Sequence, residues 1–209
     1  MPRIIKMAKG AYTTADITVD SEGRVITASS GSGGAQALNM LLAAEGPSAS
    51  NVTTGNSSST IIAYLGGAGG GAGGGRNGNQ QSAGGTGGTG GFGFYTAPLA
   101  AGTTKAYIVG AWGAGGGVGG GAGQAGSAGG SSTLTDIGTA NAGAAGGGGT
   151  HQTGTQGADG DSPGGTVLPY SWSIKDDSEN PVLYCQGGRG NNAGTGGAGN
   201  PGILVVYDQ

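Results

Sequence analysis

The sequence predicts a mainly β fold with little helix: an N-terminal β-hairpin arm, then a glycine-rich domain of short strands and polyglycine II-like segments. Three observations carry this. Apolar and polar residues alternate near the N-terminus, short apolar runs recur further on, and between those runs glycine returns at every third position. Columns at that step pass through Gly84, Gly87, Gly90 and Gly93, through Gly123, Gly126 and Gly129, and through Gly143, Gly146 and Gly149. Two more pass through Gly154, Gly157 and Gly160 and through Gly196, Gly199 and Gly202. Neither an α-helix nor a β-strand has this period, whereas the polyproline II-type helix turns once in three residues. A glycine on every turn leaves a bare face that another backbone can approach closely. Such helices, hydrogen-bonded side by side, form a compact body with very little hydrophobic core.

The arm comes first, at 1–33. Ile17 and Val19 alternate with polar residues, Val25 and Ile26 follow, and Asp20-Ser21-Glu22-Gly23 lies between them as a turn. That pattern reads as a β-hairpin. The glycine-rich domain spans 34–209. At 34–46, Leu38, Leu41 and Leu42 fit one face of a short helix, and a buried extended run fits equally well. Residues 47–60 read as a polar connector. An apolar strand followed by a glycine tract then recurs: strands at about 61–65, 105–112 and 182–185, and a closing strand at 203–207. The tracts beginning at Ala68 and Ala114 are nearly the same, which suggests internal duplication, with units near 61–100, 105–160 and 181–209. The glycine excursions exceed ordinary loop lengths of ~12–15 residues, so they are expected to be structural elements themselves.

Composition excludes several classes. Charged residues are 9% of the chain against roughly 25% in an average soluble domain. The formal charge is −3, so nucleic acid, which needs clustered Lys and Arg, is not an expected partner. Glycine supplies 55 of 209 residues, a content that by itself suggests disorder. The apolar runs and the scarcity of charge argue against it. Collagen is excluded by 7 prolines and a triplet register that breaks repeatedly. No apolar run is long enough to span a bilayer, so membrane insertion is not expected. Arg3, Lys6 and Lys9 precede no apolar segment, so no secretory signal is expected.

Catalytic chemistry is not expected. His151 has no ligand partner at metal spacing, and Cys185 is the sole cysteine, set in an apolar strand with no basic neighbour. Asp159 and Asp161 form a single glycine-aspartate motif, where calcium repeats need several. Glycine abundance makes GxGxxG matches inevitable, and none opens a helix with Lys-Ser/Thr. No metal or other cofactor is expected. What remains is a surface. Turns between glycine segments carry Arg76, Asn77, Asn79, Gln80 and Gln81; His151 and Gln152; Tyr170 and Trp172; and Arg189, Asn191 and Asn192. Amides, aromatics and Arg suit polar recognition of sugars or protein loops.

Three segments carry a resemblance. AYTTADITVDSEGRVITASSG (11–31), centred on Asp20-Ser21-Glu22-Gly23-Arg24, resembles a module of tail fibre proteins of tailed bacteriophages. TAPLAAGTTKAYIVGAWGAGGG (96–117) resembles the opening of glycine-rich domains at phage fibre ends, and PGILVVYDQ (201–209) resembles their closing strand. Together they cover roughly a quarter of the chain; the tracts between fit in character only. The resemblance implies a virion tail fibre or tail-tip protein that attaches to the host. Its receptor would be a surface glycan or an outer-membrane protein. The turn residues Arg76, Asn77, Gln80, Gln81, His151, Gln152, Tyr170, Trp172, Arg189 and Asn191 would contact it. Ile17, Val19, Val25 and Ile26 would serve oligomerisation, with a homotrimer implied, or attachment to other phage tail proteins. The alternative is a purely structural virion component, a baseplate piece or fibre connector without receptor contact. The mixture of triplets with GGGA quartets departs from stacked polyglycine II adhesins and is expected to break the register.

Overall fold

The computed structural model describes residues 15–19, 25–30, 39–55, 59–77, 81–150, 154–157, 160, 166–167, 173–175 and 181–209. The chain divides into two compact units, Met1–Ala37 and Leu38–Gln209. In the first, β1 (Ala15–Val19) pairs antiparallel with β2 (Val25–Ser30), Ile17 opposite Ala28 and Val19 opposite Val25. A register shift after Thr18 passes over Ile26. The expected turn at 20–23 lies outside the described residues.

The second unit begins with β3 (Asn39–Glu45) and β4 (Ser48–Thr53). The 34–46 segment is therefore extended where it is described, and the expected connector at 47–60 contains β4 and the start of β5 (Ser59–Gly66). Polar composition misleads there because β4 lies at a sheet edge and buries only Val52 and, just after it, Thr54. The remaining strands are β6 (Phe92–Leu99), β7 (Thr104–Val109), β8 (Ser132–Leu134), β9 (Gly138–Ala140), β10 (Thr166–Val167), β11 (Ser173–Lys175), β12 (Pro181–Leu183) and β13 (Ile203–Asp208). They form a five-stranded sheet in the order β10-β6-β5-β13-β3, a four-stranded sheet β4-β7-β8-β9, and a ribbon of β11 with β12. Every pairing is antiparallel.

The two larger sheets form a sandwich. Ile61, Ala63 and Leu65 of β5, Tyr95 of β6, and Leu204 and Val206 of β13 pack against Val52, Tyr107, Val109, Leu134 and Ala140 from the other sheet. Alternate residues of β13 turn the other way: Ile203 and Val205 join Phe92, Tyr184 and Cys185. With both faces covered, β13 reads as an unbroken apolar run. The body thus has an apolar core at one end, more than the glycine content suggests.

The glycine excursions build the other end. They form eight tracts: 67–76, 83–91, 110–119, 123–130, 141–149, 154–157 with 160, 185–191 and 194–202, numbered 1 to 8 here. Tract 1 is surrounded. Its N–H groups at 67, 70 and 73 donate to tract 2 (Gly91, Gly88, Gly85), those at 68, 71 and 74 to tract 4 (Gly130, Ser127, Gln124), and those at 69, 72 and 75 to tract 8 (Asn200, Gly197, Gly194), at 2.7–2.9 Å. Its carbonyls accept from tract 3 (Gly113, Gly116, Gly119), tract 5 (Gly143, Gly146, Gly149) and tract 7 (Gly188). Hydrogen bonding that visits three neighbours in strict rotation is the signature of a three-fold helix. The accepting tracts 2, 4 and 8 run antiparallel to tract 1, and the donating tracts 3 and 5 run parallel to it, as their registers show.

The ring closes through bonds of the same period: tract 2 to tracts 5 and 7, tract 4 to tracts 5 and 3, and tract 8 to tracts 3 and 7. Tract 6 lies outside, with Gly154, Gly157 and Gly160 donating to Ala83, Thr86 and Thr89 of tract 2. Glycine is needed here for proximity. A Cβ added at Gly84, Gly87 or Gly90 would lie 1.8–2.0 Å from a tract 1 carbonyl oxygen. Among the described residues only Gly102 is a glycine of positive φ, and it lies in a β turn outside the tracts.

Four expectations change. GGGA quartets do not break the register: Ala68 and Ala72 are fully buried in tract 1, and the rotation of hydrogen bonds passes through both. Gly93 belongs to β6, paired with Leu65, so its column ends at Gly90. The strand expected at 105–112 stops at Val109, because Gly110 and Ala111 already accept bonds from tracts 8 and 4. Each excursion is one tract out and one tract back between two strands. The stretch 105–160 accordingly holds two such units, one from β7 to β8 and one starting at β9.

Candidate recognition face

Because tracts alternate in direction, the described residues that end one tract and begin the next lie at the same pole, away from the sandwich. Tract 1 spans about 28 Å at the polyproline II rise of ~3.1 Å per residue. Cross-links between turns fix this pole. Arg76 N–H donates to the Ser82 carbonyl at 2.9 Å, and Asn77 N–H donates to the Gly119 carbonyl at 2.8 Å. Ser82 Oγ donates to the Thr150 carbonyl at 2.5 Å. Gly75 N–H donates to the Gly194 carbonyl at 2.7 Å, and Gly84 N–H to the Asn191 carbonyl at 3.4 Å. Backbone pairing thus locks the turns to one another, while Asn77, Gln81, Asn191 and Asn192 are exposed. Arg76 is half-buried at the end of tract 1.

The structure brings Arg76, Asn77, Gln81 and Asn191 of the expected set to this pole. Arg189 is exposed but sits on the flank, level with the middle of tract 1, since neighbouring Gly188 bonds Gly70. Gln80, His151, Gln152, Tyr170 and Trp172 lie outside the described residues, as does Asn79. One turn escaped the sequence reading: Gly120, Gly121 and Ala122 join tracts 3 and 4. Glycine-rich sequence on both sides hides it, and its only signal is that Gly120 and Gly121 fall off the contact columns. The turn between tracts 7 and 8 is marked by Ala193, which takes a left-handed φ of 51°.

The described residues of this pole carry amides, hydroxyls and Arg76, with no carboxylate. The amides and hydroxyls donate and accept hydrogen bonds without charge neutralisation, and the Arg76 guanidinium is a cationic donor. Among the described residues, no group of three or more His, Cys, Asp or Glu could hold a metal ion, and no helix is long and apolar enough to cross a membrane. Cys185 is buried between Gly66 and the apolar cluster, and burial pushes its thiol up to about 12. Tyr184 beside it is raised further, by burial first and then by its hydrogen bond to Glu45 and that carboxylate's charge. Both lie at the base of the bundle.

The opposite pole receives the chain. Asn39, the first residue of β3, pairs with Asp208 at the end of β13 remote from Gly202 and the tracts. At the waist, exposed Ile108 lines a shallow apolar depression with Pro47, Ala49 and Ala111, and Trp112, next in the chain after Ala111, is also exposed. No protein-family model matches the chain, and no curated protein matches it.

Proposed function

We propose that this chain is a phage tail fibre or tail-tip protein that binds the host cell surface through the turns of its polyglycine II bundle. The observation that carries the reading is polar: the turns described gather at one pole, and the chain enters the domain at the other. A rigid bundle holds the exposed amides of Asn77, Gln81, Asn191 and Asn192 at fixed spacing, which lowers the ordering cost of binding. The N-terminal hairpin, with its fibre-like Asp20–Arg24 centre, would serve attachment to other tail proteins and trimerisation. The receptor would be a surface glycan or an outer-membrane protein, recognised by amide and hydroxyl hydrogen bonds. No bond is made or broken in this role.

The test uses the whole chain, fluorescently labelled, on a panel of bacterial cells. Saturable binding to a subset of strains is expected. The combined substitution Asn77→Ala, Gln81→Ala, Asn191→Ala and Asn192→Ala should lower that binding at least about tenfold, a loss of ~1.4 kcal/mol, while leaving Tm unchanged. If virions carrying this variant adsorb normally, the pole is not a receptor site. If they fail to assemble, the chain is a structural connector instead.

A further inference from the structure

The three antiparallel neighbours of tract 1 are equivalent by its screw. Gly70, Gly71 and Ala72 donate in turn to Gly88 of tract 2, Ser127 of tract 4 and Gly197 of tract 8. Those three residues in turn donate to Ala144 of tract 5, Ala114 of tract 3 and Arg189 of tract 7. Three equivalent outer grooves follow, between tracts 2 and 5, 4 and 3, and 8 and 7. Their contents differ.

The first groove is filled by tract 6. Its glycine N–H groups donate at a step of three to the outward carbonyls of tract 2, and Thr155 accepts from Gly147 of tract 5 at 2.8 Å. The second is plugged by side chains. Ser127 Oγ accepts the outward N–H of Ala114 at 2.8 Å, and Gln124 lies over Gly117, where an added Cβ would sit 2.9 Å from its Oε1. The third has glycine, Gly194 and Gly197, where the second has Gln124 and Ser127. Its outward carbonyls of Thr195 and Ala198 match those of Thr86 and Thr89, and its Arg189 N–H matches that of Ala114. No hydrogen bond joins these three groups to any described residue.

We propose that the groove between tracts 7 and 8 takes a glycine-rich polyproline II strand from another protein. The strand carries glycine at every third position and runs parallel to tract 8, as tract 6 runs parallel to tract 2. Its glycine N–H groups donate to Thr195 and Ala198, and one of its carbonyls accepts from Arg189 N–H. This is the polyglycine counterpart of adding a strand to a sheet edge. Every described tract of this chain is already held in its own bundle, so the occupant comes from a partner. The site is independent of what the turns bind.

The probe is a short single-stranded Gly-Pro-Pro repeat peptide, preorganised in the right helix, titrated into the isotopically labelled full chain. Amide shifts should saturate at Arg189, Thr195 and Ala198, with one site per chain. Gly197→Ser copies the natural plug at Ser127 and should weaken binding at least about tenfold. Gln124→Gly with Ser127→Gly should open the second groove and raise the stoichiometry to two. Absence of saturable shifts, shifts elsewhere, or binding indifferent to both variants overturns the proposal. Concentration-dependent shifts at these amides without peptide overturn it in favour of a second copy of the chain.

Discussion

The backbone N–H of Gly146 donates to the carbonyl of Gly71 at 2.9 Å. That bond closes one side of a tract whose neighbours press on it all round. A Cβ at Gly71 would lie 1.9 Å from the Ala114 oxygen, so Gly71→Ala must push tract 3 away. Overpacking of this kind costs about 3 kcal/mol at the upper end of the usual range. Thermal melts should place the variant about 6–12 °C below the parent for a domain of this size. Gly121→Ala is the matched control, because nothing lies within 4 Å of its added Cβ. Its effect should stay within about 0.5 kcal/mol. Equal melting of the two variants would remove close approach as the reason for glycine here.

Gly102 tests the opposite property. Its added Cβ meets open space, but its φ is +67°. Its N–H donates to the Gly55 carbonyl at 3.0 Å, so the turn holds that conformation. Left-handed backbone costs a non-glycine residue roughly 1–2 kcal/mol, with Asn penalised less. Urea unfolding should rank the parent above Gly102→Asn, and that above Gly102→Ala.

Much of this was legible in the sequence. The columns at 84–90, 123–129, 143–149, 154–160 and 196–202 each face a neighbouring backbone, because contact on one side of a three-fold helix recurs at that step. Tract 1 is nearly pure glycine because all three of its columns are in contact. Tract 4, with only Gly123, Gly126 and Gly129 turned inward, carries Gln124, Ala125, Ser127 and Ala128 outside. The apolar runs of β5, β7 and β13 were likewise readable. β4, β8 and β9 were not, since Ser48–Thr53, Ser132–Leu134 and Gly138–Ala140 are short and polar; β4 and β8 gain their order from β7, distant in sequence, and β9 only by folding back on β8. Nor did spacing reveal that Arg189 falls short of the pole, because that depends on how tract 7 is staggered against tract 1.

Ser132 joins the two halves of the domain. It is fully buried; its Oγ donates to the Gly66 carbonyl at 2.6 Å and accepts from Gly110 N–H at 3.1 Å. Both partners stand where a strand becomes a tract. Ser132→Ala leaves a buried donor and a buried acceptor short of a bond, a cost of about 1–3 kcal/mol. Hydrogen exchange should quicken most at Gly110 if the loss is local. An unchanged unfolding midpoint would mean that water replaces the hydroxyl without penalty.

The base of the bundle should lose stability in alkali. Cys185 is raised from 9.0 to about 12 by burial, and Tyr184 is raised from 10.0 by burial and then by Glu45. The folded chain therefore holds both protons more tightly than the unfolded chain. Stability from this source is complete below pH 9 and falls as pH rises from 9 towards 12, with the tyrosine joining above pH 10. Each group contributes a slope of at most about 1.4 kcal/mol per pH unit. Unfolding free energies measured from pH 8 to 11 should decline, and Cys185→Ala with Tyr184→Phe should flatten the decline whatever it does to the absolute value. The same burial predicts that a thiol reagent at pH 8 labels Cys185 only as fast as the chain opens. Rapid labelling of the folded protein, or an unchanged slope in the double variant, would show that water reaches this corner and that the tracts do not seal it.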